Sequence, residues 1–155
     1  MLKKMLAGLG GAIALNLLHE VVRKNFDNVP HINEVGEEAL KKVTDSTALE
    51  ISDPDKLYAA TLAGDIVSNA IYYGTTATNY NFTSGIAAGI GAIVLPQKMG
   101  LNDQPVAENN KKKLMTVGYY IFGAMVTKFI YDKIKYKFTP AMREYFLILQ
   151  TYSTI

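Results

Sequence analysis

The sequence predicts an all-α fold: a four-helix transmembrane bundle with short amphipathic interfacial helices in the first linker and at the C-terminus. Two observations point there. No Asp, Glu, Lys or Arg occurs from Ile66 to Gln97, and Met5–Leu18 and Leu114–Thr127 are likewise uncharged. The charges that an ordinary mean hydropathy of +0.08 conceals are gathered between those runs. Residues 25–56 carry Asp27, Glu34, Glu37, Glu38, Asp45, Glu50, Asp53 and Asp55 against Lys41, Lys42 and Lys56, and a second polar stretch ends in Lys111-Lys112-Lys113. Amphipathic helices of soluble proteins keep one polar face and rarely leave whole turns uncharged all round.

A crossing helix needs ~20 mostly apolar residues. Four segments approach that length: 4–24, 55–76, 82–98 and 113–134. Each carries a polar flaw. The first holds Asn16, His19 and Glu20, the second Asp65, and the fourth Lys128, while the third is short. A soluble helical bundle is the competing architecture.

The helix ends fit these segments. Ser52-Asp53-Pro54-Asp55 predicts an N-terminus, with Asp53 as N-cap and Pro54 at N1, where a missing N–H costs nothing. Pro96 and Gly100 close the third segment, and Asn109-Asn110 opens the fourth. Thr75–Phe82 reads as a short polar connection that makes the second and third segments an antiparallel pair. In the first linker, 33–44 places Val35, Ala39 and Val43 on one stripe opposite Glu34, Glu37, Glu38 and Lys41. In the tail, 140–152 places Met142, Phe146, Leu149 and Tyr152 at helical spacing. Both patterns suit a helix lying along a membrane surface; the plainer reading is a soluble helix packed on a core.

Met1-Leu2-Lys3-Lys4 before an apolar run resembles a signal peptide, and Ala12-Ile13-Ala14 supplies small residues at cleavage spacing. The run Met5–Gly11 holds three glycines, however, and the helical pattern continues through Leu17, Leu18, Val21 and Val22. A retained first helix is the expectation.

Composition narrows the chemistry. The 155 residues carry a net charge of +2 and contain no cysteine. A disulfide framework, a thiolate metal site and a cysteine nucleophile are excluded. So mild a balance gives no nucleic-acid footprint. His19-Glu20-Val21-Val22-Arg23 begins like a zinc-protease helix but has Arg where the second His ligand must stand. No strand precedes Gly8-Leu9-Gly10-Gly11, no nucleophile elbow surrounds Ser84-Gly85, and His31 lies beside Pro30 in a polar linker. No catalytic residue, metal or cofactor is expected.

Small residues recur every four positions: Ala7/Gly11 and Gly8/Ala12, Ala60/Gly64/Ser68, Gly85/Gly89 and Ala88/Ala92. In lipid, close backbone approach at such residues is the main attraction between helices. Gly8, Gly11, Ala12, Gly64, Gly85 and Gly89 are therefore the expected packing positions, although Gly and Ala are also common in membrane helices generally. Tyr58, Thr61, Asp65, the pair Ser68 and Asn69, Tyr72 and Thr76 recur at intervals of three or four and share one helix face. An Asp at mid-helix costs about 2.5–3.5 kcal/mol to insert and should face the bundle interior, a neighbour or water. The expected polar cluster is Asp65, Asn69, Thr61, Ser68, Tyr72, His19 and Glu20, with His19, Arg23 or Lys128 as partner of Asp65. The leading reading of Asp65 is a polar clamp that fixes helix packing. The alternatives are a proton relay with His19 or Glu20 and a carboxylate open to water.

Three strings, Leu62-Ala63-Gly64-Asp65-Ile66-Val67-Ser68-Asn69, Val94-Leu95-Pro96 with Gly100-Leu101, and Met115-Thr116-Val117-Gly118-Tyr119-Tyr120, resemble a group of small bacterial multi-span membrane proteins of uncharacterised function. The resemblance runs from the first segment to the fourth, leaving aside the acidic linker and the tail after Phe138. It implies a multi-pass inner-membrane protein and no particular activity.

The functional expectation is a small non-enzymatic integral membrane protein. It would be a structural or accessory subunit of a membrane assembly, or a homo-oligomer. Its partners would be the lipid bilayer and either its own copies or a larger complex, with no nucleic acid. A proton- or ion-coupled carrier or channel using the Asp65 face is the alternative, and a soluble helical binding module the second. Basic residues number seven on the side of the termini and nine on the other, which does not orient the chain. Basic residues directly after the last segment favour cytoplasmic termini.

Overall fold

The computed structural model describes residues 1–45, 47 and 51–136. The described residues are all-helical apart from short connections: α1 (Leu2–Asn25), α2 (Ile32–Thr44), α3 (Pro54–Lys98), α4 (Gln104–Ala107) and α5 (Asn110–Tyr136). The amphipathic tail helix expected at 140–152 lies outside the described residues.

The long α3 is two arms. Tyr80 has non-helical torsions (φ −126°, ψ 54°), and there the chain folds back. The Tyr72 hydroxyl donates to the Ser84 carbonyl at 3.0 Å, and the Thr76 and Ser84 hydroxyls lie 2.6 Å apart. In a continuous helix residues 72 and 84 would be about 18 Å apart. The antiparallel pair expected from the sequence is therefore formed, but the eight-residue connection is not. Thr75 and Thr76 stay helical, with their hydroxyls bonded back to the carbonyls of Ile71 and Tyr72, an outlet that threonine has within a helix. The reversal takes one residue.

Helix ends follow local chemistry. The Asp53 carboxylate accepts from the backbone N–H of Asp55 and Lys56, with Pro54 in the first turn. The side chain of Asn109 accepts from Lys112 N–H at 3.0 Å and so caps α5. After the second arm, Leu101 N–H bonds to the Pro96 carbonyl at 2.9 Å and Gly100 N–H to that of Gln97 at 3.1 Å. Between them Gly100 has φ +70°. This pair of bonds around a left-handed residue terminates the helix and satisfies its last carbonyls. A side chain there is strained, so Gly100→Ala is expected to lower stability by about 1–2 kcal/mol. Thermal unfolding followed by circular dichroism checks it.

α1, both arms of α3, and α5 pack into a bundle. α1 contacts the first arm where Gly8 meets Ala70 and Gly74, and it contacts α5 where Gly11 meets Gly123 and Thr127. The second arm contacts α5 through Gly85 against Ile121 and Gly89 against Val117. Tyr73 is fully buried among them, with its hydroxyl donating to the Tyr120 carbonyl at 3.0 Å. Ala12 is fully buried too.

One end of the bundle carries a polar cap made of α2, α4 and the connections. Lys42 donates to the Met99 carbonyl at 3.0 Å, and Glu38 accepts from Asn102 N–H at 2.9 Å. His31 N–H bonds to the Pro105 carbonyl, and Asn109 to Asn28. Val29 and Val106 are both buried within the cap. The chain start, the Tyr80 turn and the end of α5 lie at the other end.

The bundle is apolar outside and mostly small or polar inside. α1 buries Ala7, Gly8, Gly11, Ala12, Leu15, Asn16 and His19 while exposing Leu6, Leu9, Ile13, Leu17 and Val21. α5 buries Thr116, Tyr119, Ala124 and Thr127 while exposing Leu114, Phe122, Met125 and Phe129. Two helices, Leu2–Asn25 and Asn110–Lys135, are long and apolar enough to cross a membrane by length and composition, and only 39% and 28% of their most apolar windows are buried. Four such helices were expected. The arms of α3 fall short because the first carries Asp65, Ser68 and Asn69, and the second ends in Pro96, Gln97 and Lys98.

Candidate functional site

Near the Tyr80 turn the arms of α3 touch through Tyr72, Thr76 and Ser84. Farther from it they part around a cavity of about 450 Å³. The first arm supplies one wall with Asp65, Ser68, Asn69 and Tyr72. The second supplies the facing wall with Ala87, Ala88, Gly91, Ala92 and Leu95, and Tyr120 of α5 also lines the space. The gap follows from the sequence. Positions spaced three or four along the second arm are Ala and Gly, so nothing long fills the space that the diverging backbones leave.

α2 closes the cap side, contributing Ile32, Val35, Gly36 and Ala39. Gly36 sits against the first arm: a Cβ placed there would meet the Thr61 methyl at 2.6 Å and both Asp65 carboxylate oxygens at 3.7 Å. A second, smaller space of about 310 Å³ lies between α2 and the first arm, lined by Thr61, Gly64 and Asp65 among others. Asp65 thus borders both.

The structure divides the expected polar cluster. Asp65, Ser68, Asn69 and Tyr72 share the cavity wall. Thr61 lies one turn before them, with its hydroxyl buried and without a hydrogen-bond partner. His19 and Glu20 do not join them. His19 is 3% exposed, and its Nε2 lies 3.2 Å from the Pro30 carbonyl and 3.2 Å from Ile32 N–H. Its ring stands edge-on to Tyr119, 5.8 Å between centroids. It fastens the linker that leads into α2. Glu20 pairs with Arg23 at 2.8 Å and Lys24 at 3.5 Å, and the Arg23 guanidinium lies 6.0 Å from the Tyr58 ring centre.

None of the three expected partners reaches Asp65. Arg23 is taken by Glu20, and Lys128 by Asp132 at 2.6 Å. Opposite charges three or four residues apart on one helix meet without crossing the bundle, and that local geometry wins. Among the described residues the Asp65 carboxylate has no hydrogen bond or ion pair, since the wall opposite offers only aliphatic side chains. The expected clamp is therefore not formed there. Gly64 is a second correction. Nothing lies within 4 Å of where its Cβ would be, because it faces the space beside α2 and not a neighbouring helix.

Tyr73, Gly74, Gly123 and Tyr120 are central and were missed. Ala70/Gly74/Thr78 and Gly123/Thr127 are also spaced by four, so the small-residue rule applied throughout would have found the glycines. Among the described residues no group of three or more His, Cys, Asp or Glu side chains is placed to hold a metal ion. No family model, curated protein or solved structure matches this chain.

Proposed function

We propose that this chain is a small, non-enzymatic, multi-pass membrane protein. In this reading α1, both arms of α3, and α5 cross the bilayer, and the α2–α4 cap lies at one membrane face. One observation carries it: the bundle exposes many Leu, Ile, Val, Phe and Met side chains and buries mainly Gly, Ala, Thr, Asn and His, with Leu15, Tyr73 and Tyr119 as the large residues inside. In water that distribution wastes the hydrophobic effect. In lipid the tails solvate the outer face, and small inward residues let the helices approach closely. The sequence resemblance to small bacterial multi-span proteins agrees with it and suggests the inner membrane. The role is that of a packing or accessory subunit, alone as an oligomer or within a larger assembly.

The cavity supports a second reading, a carrier or binding protein that uses the Asp65 face. Intramembrane carboxylates are costly, and where they occur they mark pathways or sites. The first test of either membrane reading is extraction of the full chain from cells. Retention in the membrane pellet through alkaline carbonate and release only by detergent is expected. Recovery in the aqueous fraction would instead support a soluble helical binding module.

A further inference from the structure

We infer that the cavity between the arms of α3 is a binding site for a small monovalent organic cation, a protonated amine carrying a compact apolar body. The inference goes beyond the membrane reading and stands on the cavity alone.

Three polar groups on one lining are unspent. Among the described residues the Asp65 carboxylate, the Asn69 carboxamide and the Tyr120 hydroxyl have no hydrogen-bond partner, and all three residues line the same space. Asp65 is half-buried, and a carboxylate drawn partly out of water gains from a positive group beside it. Among the described residues the candidates are engaged elsewhere: Arg23 with Glu20, Lys128 with Asp132, and Lys42 with the Met99 carbonyl. A counter-charge from outside the chain fits the open place beside Asp65. An ammonium matches the set, since its N–H groups donate to Asp65 and to the Asn69 and Tyr120 oxygens. Tyr72 and Tyr120 also line the space, and aromatic rings attract cations.

The rest of the lining fixes the body of the ligand. Ala87, Ala88, Gly91 and Ala92 give a smooth apolar wall without donors or acceptors, which suits a hydrocarbon group and not a hydrated metal ion. A volume of about 450 Å³ lies in the usual range for small-molecule sites, roughly 300–1,000 Å³. One carboxylate and no second acid on the lining set the charge at one.

The test uses the full chain purified into zwitterionic lipid nanodiscs, titrated calorimetrically with 2-phenylethylammonium and, separately, with uncharged 2-phenylethanol. Saturable one-site binding of the ammonium is expected, with the alcohol binding much more weakly. Asp65→Asn keeps the shape and removes the charge. It should weaken ammonium binding about tenfold or more, the scale of a hydrogen bond to a charged group. Gly91→Leu is the second variant. A Cβ at Gly91 meets only the Leu95 side chain, at 3.6 Å, so the new side chain has room to enter the cavity and should block binding with Asp65 intact. No saturable binding to the wild type would overturn the inference. So would equal binding by Asp65→Asn, or equal binding of the alcohol. Failure here leaves extraction behaviour untouched, so it is distinguishable from failure of the membrane reading.

Discussion

Tyr73→Ala is expected to destabilise the bundle by about 3–5 kcal/mol, the range for truncating a large buried aromatic side chain. Tyr73 is fully buried at the meeting of three helices. It comes from the first arm of α3, and its ring lies against Gly123 of α5, where a Cβ would meet it at 2.9 Å, beside Leu15 of α1. Truncation empties that centre, and the backbones cannot close over it because the glycine contacts already hold them at their nearest approach. Tyr73→Phe keeps the ring and gives up only the 3.0 Å bond to the Tyr120 carbonyl, a loss of about 1 kcal/mol. Unfolding of both variants in a denaturant series, in the same detergent, separates the two terms. Equal losses would mean that the hydroxyl, and not the ring, organises the centre.

Gly8→Ala is the second large effect. A Cβ at Gly8 would overlap the Ala70 carbonyl and lie 2.6 Å from Gly74 N. These are backbone atoms, so no rotamer relieves the clash and α1 must move off the first arm. Overpacking of this kind costs typically about 1–3 kcal/mol and sometimes more. Gly85→Ala should behave similarly, since its Cβ would sit 2.5 Å from the Ile121 Cα. Gly64→Ala supplies the control. With nothing within 4 Å, it should be neutral or stabilise by up to about 1 kcal/mol, from helix propensity alone. Midpoints of thermal unfolding for the three variants, with Gly64→Ala at or above wild type and Gly8→Ala and Gly85→Ala both below it, check the assignment. A destabilised Gly64→Ala would restore that residue to the packing set.

These contrasts locate what the sequence discloses. Helix starts are local chemistry: Asp53 before Pro54, and Asn109 before Lys112, act within one turn, and both are legible as written. The small-residue rule found Gly8, Gly11, Ala12, Gly85 and Gly89 at interfaces but also chose Gly64. Spacing alone does not say which face of a helix meets a neighbour. Polar side chains suggest a loop at Thr75–Phe82, whereas the threonine hydroxyls there bond back to their own helix. The partners of Asp65 were the least legible. Arg23 and Lys128 have acids three or four residues away on their own helices, and that proximity outweighs any pairing across the bundle. What remains at Asp65 is a carboxylate facing alanines, a feature that only the fold of the two arms reveals.

In the proposed reading all four bundle helices cross the bilayer, including the two arms that fall short on hydropathy. The chain contains no cysteine, so single cysteines carry nitroxide labels without interference. Labels replace Ile13 on α1, Val67 and Ile90 on the two arms, and Phe122 on α5, all exposed on the outer surface, with Glu34 on α2 as the reference. Collision rates with oxygen and with a polar nickel chelate are then measured in lipid vesicles. Oxygen concentrates in hydrocarbon and the chelate stays in water. High oxygen and low chelate accessibility are expected at all four positions, and the reverse at Glu34. Free chelate access at Val67 and Ile90 would leave α1 and α5 as the only crossings and contradict it.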